Sequence, residues 1–175
     1  LVEREEFEGS MVTKLREGLA QGGSQVKSLR DIHETLNKRM AAAAPAQQKK
    51  LHLKLGVTQF FLGHTAHAVE HLKHADGPLA AFFLGRALAL RGEYDDAREA
   101  FEKAEKSGYA AQQVQLQKAG VLRLQGSIGE AKAILTKLKD MAAHNAEYHH
   151  QEGGLAEAEG DTPRAARSYE RAIEL

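Results

Sequence analysis

The sequence predicts an all-α chain that folds as an α-solenoid of about five antiparallel helical hairpins. Three observations lead to this prediction. The 175 residues are dominated by strong helix formers (Ala, Leu, Glu, Lys, Gln and Arg), with only three prolines. Glycines recur at a spacing of 34 residues. Small and bulky apolar residues follow each of these glycines at fixed distances, which is typical of a repeated supersecondary unit.

The glycine repeat is clearest in the C-terminal half. Gly92, Gly126 and Gly160 are 34 residues apart, and Gly63 precedes Gly92 by 29 residues. Each glycine is followed after five residues by alanine, then by a large apolar residue and a second apolar residue. These sets are Ala68, Leu72 and Ala75; Ala97, Phe101 and Ala104; Ala131, Leu135 and Leu138; Ala165, Tyr169 and Ala172. Since residues three and four apart share a helical face, each set predicts a second helix that packs closely on a first.

Helix-end signals accompany the predicted hairpins. Gly108, which follows EKAEKS, fits the position just beyond a helix C-terminus. Pro163 fits a first helical turn, where a missing N–H is tolerated. Ser127 followed three residues later by Glu130 predicts a capping box.

The N-terminal quarter has a different pattern. Apolar residues lie four apart from Phe7 to Leu19, and a second amphipathic stripe runs from Val26 to Met40 after a turn predicted at QGGS. Two interpretations stay open, a divergent, elongated repeat and a capping hairpin. We therefore divide the chain into an N-terminal helical hairpin, residues 1–44, and four repeats, residues 45–175.

This pattern resembles the tetratricopeptide repeat (TPR) family over residues 49–175. The repeat that starts at Pro78 fits best, with Leu84, Gly85 and Leu88 on its first helix. The first helices of the last two repeats depart from the family pattern, since Lys118 and Glu152 stand where Leu is usual. The resemblance implies a superhelix whose first helices line a concave groove. It also implies a non-catalytic protein–protein interaction scaffold that binds a peptide or helix of a partner in that groove.

The resemblance further assigns groove positions on each first helix. The candidate peptide-binding residues are Lys50, Leu53, Val57, Phe60, Phe61, Leu79, Phe82, Arg86, Leu90, Leu116, Arg123, His150 and Glu157. Four of the six phenylalanines, at positions 60, 61, 82 and 83, fall on two adjacent first helices. Two interpretations stay open for them, an apolar anchor site and packing against the helix predicted at 24–43. Nearby cations, Lys50, Lys54, Arg86 and Arg123, favour an acidic flank on the bound segment.

Charge and motif content argue against several other classes. Lys plus Arg (24) equals Asp plus Glu (24), so no nucleic-acid partner is expected, because phosphate binding depends on clustered cations. The same neutrality disfavours a base-reading pentatricopeptide array, which is also built from helical hairpins. There is no cysteine, which excludes disulfides, thiolate zinc sites and thiol nucleophiles. No apolar stretch approaches the ~20 residues of a membrane span, so we expect no membrane insertion. Catalytic and nucleotide-binding motifs are absent, so we predict no enzymatic activity, no catalytic residues and no cofactor.

One histidine-rich stretch stands out. GHTAHAVEHLKHAD places His64, His67, His71 and His74 along one helix. Imidazoles four residues apart are able to share a transition metal. These histidines fall beside the predicted buried face, so we predict a solvated surface stripe and no metal site.

The chain ends raise a second function. The sequence opens on Leu1 rather than Met, and Ile173 points to where a further repeat would pack. We expect either a chain cut from a longer protein or an end that is covered by a second copy. The second possibility gives the alternative function, a structural oligomerisation module that forms a homodimer through the C-terminal repeat end. With no signal peptide visible, a cytoplasmic location is predicted.

Overall fold

A computed structural model of the chain describes residues 7, 9–20 and 23–175. These residues form ten α-helices, one short 3-10 helix and no strand. The α-helices are α1 (Gly9–Ala20), α2 (Gly23–Ala41), α3 (Pro45–Phe61), α4 (Thr65–Lys73), α5 (Pro78–Leu90), α6 (Tyr94–Lys106), α7 (Ala111–Leu124), α8 (Ile128–Lys137), α9 (Ala146–Ala158) and α10 (Thr162–Glu174). The 3-10 helix, Lys139–His144, lies between α8 and α9. The all-α prediction is confirmed, although the turn predicted at QGGS includes residues 21 and 22, which lie outside the described residues.

Successive helices pair into hairpins, α1 with α2, α3 with α4, and so on to α9 with α10. The last four hairpins each contain one turn glycine with a positive φ angle. These angles are 80° at Gly63, 79° at Gly92, 83° at Gly126 and 78° at Gly160. Glycine adopts this region without the steric penalty of a Cβ atom. The glycine spacing in the sequence is therefore the spacing of the turns, and the predicted solenoid of helical hairpins is confirmed.

Close helix approach in the third hairpin explains its small residues. Ala97, Phe101 and Ala104 on α6 are completely buried. A Cβ atom added at Gly85 on α5 would lie 2.7 Å from Cδ1 of the Phe101 ring. The ring therefore occupies the space that a side chain at Gly85 would fill, which confirms that α6 lies close against α5 with Phe101 between them.

The chain divides into two compact units, Leu1–Ser107 and Gly108–Leu175. In the N-terminal unit α2 packs against α3, and both α3 and α4 pack against α5. In the C-terminal unit α7 and α8 pack against α9. The division between the units falls inside the segment that the sequence assigns to four repeats, and the boundary at 44/45 stays a prediction.

The C-terminal unit has its own apolar core. It consists of Leu116, Ala119 and Leu122 on α7, Ala131 and Leu135 on α8, and Tyr148 and Leu155 on α9. Met141 and Ala142 of the 3-10 helix pack against this core. The 3-10 helix therefore covers the core where α8 has already ended.

The capping box predicted at Ser127 is wrong. Ser127 does occupy the N-cap of α8, but its side chain makes no cap hydrogen bond. The first amide of α8, on Ile128, instead donates to the Gly126 carbonyl at 2.9 Å. Side-chain caps form at two other helices, where Asn145 accepts from the Tyr148 N–H and Asp161 accepts from the Arg164 N–H.

Candidate functional site

The candidate interaction face in the N-terminal unit is built around phenylalanines of α3 and α5. The Phe60 ring lies edge-on to Phe61 and to Phe83, with centroid separations of 5.5 and 5.2 Å. Phe83 is buried, whereas Phe60 and Phe61 are half-buried. We call Phe60, Phe61, Phe83 and Arg86 the phenylalanine–arginine cluster. Its partly open aromatic rings are the kind of surface on which binding hot spots concentrate.

Arg86 places a cation on these rings. Its guanidinium carbon lies 4.8 Å from the Phe60 centroid and 5.6 Å from the Phe83 centroid. Attraction between a cation and an aromatic face contributes about 0.5–1 kcal/mol at an exposed site. The stacking therefore holds a positive charge beside an apolar surface, an arrangement that suits an apolar segment with an acidic neighbour.

The predicted groove residues differ widely in exposure. Lys50, Leu90, His150 and Glu157 are exposed, and Leu53, Phe60, Phe61, Arg86 and Arg123 are half-buried, whereas Val57, Leu79, Phe82 and Leu116 are buried. The four buried side chains contribute to helix packing. Within the N-terminal unit, the accessible part of the predicted set is concentrated on α3 and on Arg86 and Leu90 of α5.

The predicted residues of the C-terminal unit form local contacts between its helices. Glu157 on α9 accepts a hydrogen bond from the Tyr169 hydroxyl of α10 at 2.6 Å. The His150 ring lies 5.7 Å from the Tyr169 ring. Arg123 on α7 lies against Gly154, where an added Cβ atom would be 2.7 Å from its guanidinium carbon. Desolvation and the bond to Glu157 raise the pKa of Tyr169, so its phenol stays protonated and able to donate.

The histidine stripe is only partly solvated. His64, His67 and His74 are exposed as predicted, but His71 is half-buried. Its Nδ1 lies 3.0 Å from Nδ1 of His52 on α3. The prediction of a solvated stripe is therefore wrong for His71, because α4 turns this residue toward α3.

Two further histidines join the stripe from other helices. His52 lies four residues before Gly56, which packs on α4, so helical spacing in the sequence would have placed it on the same face. His33 on α2 contacts Gln59 of α3, and Gln59 in turn contacts His64. We call His33, Gln59 and His64, together with His52 and His71, the histidine junction. The approach of α2 to α3 depends on long-range packing, so the sequence pattern did not reveal the part of His33.

Metal-ligand geometry and membrane-spanning length were both assessed over the described residues. Across residues 7, 9–20 and 23–175, no three His, Asp or Glu side chains are arranged to hold a metal ion. Within that same part of the chain, no helix combines the length and the apolar character needed to cross a bilayer.

Comparison with known proteins identifies the fold. Residues 78–103 match the family described as "Tetratricopeptide repeat". A crystal structure of MamA superposes with a TM-score of 0.63 at 20% identity, over 83% of this chain and 87% of that one. A second MamA structure gives 0.63 at 18% identity, over 95% and 92%. YrrB, titled a TPR protein with an unusual peptide-binding site, gives 0.60 at 13% identity, over 86% and 79%. A comparison with curated proteins gave no match.

These similarities define a class, the helical-repeat scaffolds. Within that class the chain has the tetratricopeptide-repeat fold, and residues 78–103 carry a tetratricopeptide repeat. The resemblance inferred from the glycine and alanine spacing is confirmed. At 13–20% identity the solved structures support the fold, and the ligand of this chain has to be argued from its own residues.

Proposed function

We propose that the chain is a non-catalytic scaffold that binds a segment of a partner protein on the first helices of its hairpins. In the N-terminal unit this face comprises α3 and α5. The single observation that supports it most is the phenylalanine–arginine cluster, in which half-buried Phe60 and Phe61 adjoin the cation of Arg86. A peptide site on a protein of the same fold is a precedent for this use of the scaffold.

The chemistry of this face selects the kind of segment that binds. The two rings offer an apolar contact, and exposed Lys50 lies ten residues before Phe60 on the same helix. At a rise of 1.5 Å per residue this separation is about 15 Å along the axis. A bound segment would therefore place an apolar side chain on the rings and an acidic residue about three helical turns away. Arg86 offers a second contact for an acidic group.

A pull-down with the immobilised chain, read by mass spectrometry, tests this proposal. Partners that bind directly are then titrated against Phe60→Ala, which should weaken binding by about 1–2 kcal/mol if the ring is a hot spot. Phe82→Ala is a poorer test because Phe82 is only 5% exposed. Removing such a buried ring costs about 3–5 kcal/mol of folding stability, which would obscure any effect on binding.

A charge-matched pair controls for general electrostatic attraction. Arg86→Ala should weaken binding, whereas Arg98→Ala, on the second helix α6, should not. Arg98 is partly exposed and forms only a 3.8 Å ion pair with Asp95, so its loss should leave the fold intact. Equal affinity for the parent and both Phe60→Ala and Arg86→Ala, all folded, would contradict the proposal.

A structural oligomerisation module is the alternative function. Ile173 on α10 is 86% exposed, and an exposed large aliphatic side chain favours association with another apolar surface. On this hypothesis the chain forms a homodimer through the outer face of α10, with the two copies related by two-fold symmetry.

A further inference from the structure

The contacts of Gln59 carry a requirement that the candidate interaction face does not use. The Gln59 side chain is buried on α3, with 6% of its surface exposed. Its amide nitrogen bonds to Nε2 of His33 on α2, and its oxygen accepts from Nδ1 of His64 at the start of α4 at 2.8 Å. One carboxamide thus joins three helices through two imidazoles.

This bridge requires at least one neutral imidazole, whichever way the carboxamide is turned. The NH₂ end of an amide only donates, so the imidazole nitrogen that faces it must carry a lone pair. As drawn, that nitrogen belongs to His33; rotating the amide by half a turn transfers the requirement to His64. If both imidazoles are protonated, the buried NH₂ group of Gln59 loses its acceptor, and an unpaired buried donor is costly.

The contact between His52 and His71 carries the same requirement. Their Nδ1 atoms are 3.0 Å apart, so one nitrogen donates and the other has to accept. Double protonation would bring two N–H groups of like charge face to face. The bond links α3 to α4 beside the Gln59 bridge, so both bridges depend on neutral histidine.

The surrounding charged groups favour the neutral forms. Burial lowers the pKa of His33, and the imidazoles of His64 and His67 on α4 lower it further. Burial and His74 lower the pKa of His52.

The pKa of His71 is set by several neighbours. Burial lowers it most, followed by His52 on α3 and His33 on α2, with a smaller effect from His67. The carboxylate of Glu70 opposes them. The groups that face the junction from all three helices are therefore mainly imidazoles, and each proton taken up makes the next less favourable.

We propose that the histidine junction is an acid-sensitive clasp that holds α2 on α3 and α4 at neutral pH and loosens when its imidazoles take up protons. Leu29 and Leu36 remain as the apolar packing of α2, both almost completely buried. The response is thus a change in how often α2 opens. The remaining helices of the N-terminal unit keep their own cores.

The direction of the pH effect follows from the lowered pKa values of His33, His52 and His71. Protons bind the unfolded chain first, near the ordinary histidine value of about 6.5. The stabilisation is therefore fully present above about pH 6.5 and is lost as pH falls toward the folded-state values. Carboxylates titrate mainly below about pH 4.5, so the interval from about pH 7.5 to 5.5 isolates the histidines.

Amide hydrogen exchange of the full chain, read by mass spectrometry and corrected for intrinsic rates, tests the clasp. We expect the amides of α2 to exchange at least about tenfold faster at about pH 5.5 than at 7.5. The amides of α7 to α10 should change much less. Unchanged protection of α2 across this interval would overturn the proposal.

A double variant separates the junction from other acid effects. Gln59→Met with His71→Gln removes both requirements for a neutral imidazole while keeping side chains of similar length. We expect its α2 amides to change by less than about threefold over the same interval. The control His144→Gln, at an exposed histidine of the C-terminal unit, should keep the full tenfold response. An equal response in the double variant would place the acid sensitivity elsewhere and overturn the proposal.

Histidine titration of the parent chain by NMR decides the matter should the double variant not fold. His33 and His71 should take up protons at lower pH than histidine in a short unstructured peptide, and the α2 amide signals should move with them. Protonation at the same pH as in the peptide, without movement of the α2 signals, would overturn the clasp.

Discussion

At the scale of single residues, helical glycines mark the points where a neighbouring side chain reaches the backbone. A Cβ atom at Gly56 would lie 2.5 Å from Leu72, and one at Gly153 would lie 2.6 Å from Tyr169. A Cβ atom essentially never lies within 3.0 Å of another heavy atom, so these sites exclude larger residues. The recurring small position is therefore a packing requirement between the two helices of a hairpin.

Substitution of Gly85 tests this requirement. Gly85→Val should lower the free energy of unfolding by about 1–3 kcal/mol, because its side chain must displace the fully buried Phe101 ring. Gly129→Val is the matched control, since nothing lies within 4 Å of an added Cβ there, and it should change stability by less than about 1 kcal/mol. Urea unfolding measures both. Equal stabilities of the two variants would show that the ring relaxes freely.

The histidines of α4 differ in their expected contributions. His67→Ala should leave stability within about 0.5 kcal/mol, as for other exposed positions. His71→Ala should cost about 1 kcal/mol, because it removes the hydrogen bond to half-buried His52. Thermal unfolding with and without added zinc completes the test. We expect zinc to leave the melting temperature of the parent unchanged, and a zinc-dependent rise that His71→Ala abolishes would contradict the prediction of no metal site.

At the scale of helices, the ends of α8, α9 and α10 are satisfied in different ways. Asn145 and Asp161 accept from helix amides at 3.0 and 3.1 Å, whereas Ser127 makes no such bond with its side chain. The Gly126 carbonyl takes the first amide of α8 instead. Helix identity therefore follows the repeat, while the capping chemistry differs from one hairpin to the next.

Two cap substitutions should separate these cases. Asp161→Ala should lower the free energy of unfolding by about 1 kcal/mol, because the Arg164 amide loses its acceptor. Ser127→Ala should cost only a few tenths of a kcal/mol, since no cap hydrogen bond is lost. Urea unfolding at neutral pH measures the difference. A larger loss for Ser127→Ala would mean that its hydroxyl caps α8 in solution.

At the scale of the whole molecule, the chain carries balanced charge and a few exposed aliphatic side chains. Lys plus Arg equals Asp plus Glu, so neither strong self-repulsion nor long-range attraction to a polyanion is expected. Leu90, Leu124 and Ile173 are 68%, 50% and 86% exposed. With so little net charge to oppose association, an apolar contact between copies would meet weak electrostatic resistance.

Light scattering tests association through α10. On the oligomerisation hypothesis the parent chain is a dimer, and Ile173→Glu converts it to a monomer because a buried, unpaired carboxylate is costly. Leu124→Glu, at another exposed aliphatic position of the same unit, is the control and should leave the dimer intact. A monomeric parent at micromolar concentration, with a melting temperature that Ile173→Glu does not change, would contradict the alternative function.

The amino-acid sequence by itself determined the repeat and most of the helices. The 34-residue glycine spacing corresponds to four turns of positive φ, and Ala97, Phe101 and Ala104 are buried as their spacing predicts. These features are local, because turn geometry and helical periodicity depend on residues close together in the chain. Phe60, Phe61 and Arg86 were also identified from their helical positions. Their role in binding stays a prediction.

Only the tertiary structure decided which of the predicted groove residues are accessible. It buried Val57 and Phe82 while leaving Phe60 half-buried. It also joined His33 to Gln59, 26 residues away. Burial and long-range hydrogen bonds depend on how helices from different hairpins pack, which no local periodicity encodes. The repeat pattern therefore predicts helical faces, and the packing of those faces decides which side chains meet a partner and which meet each other.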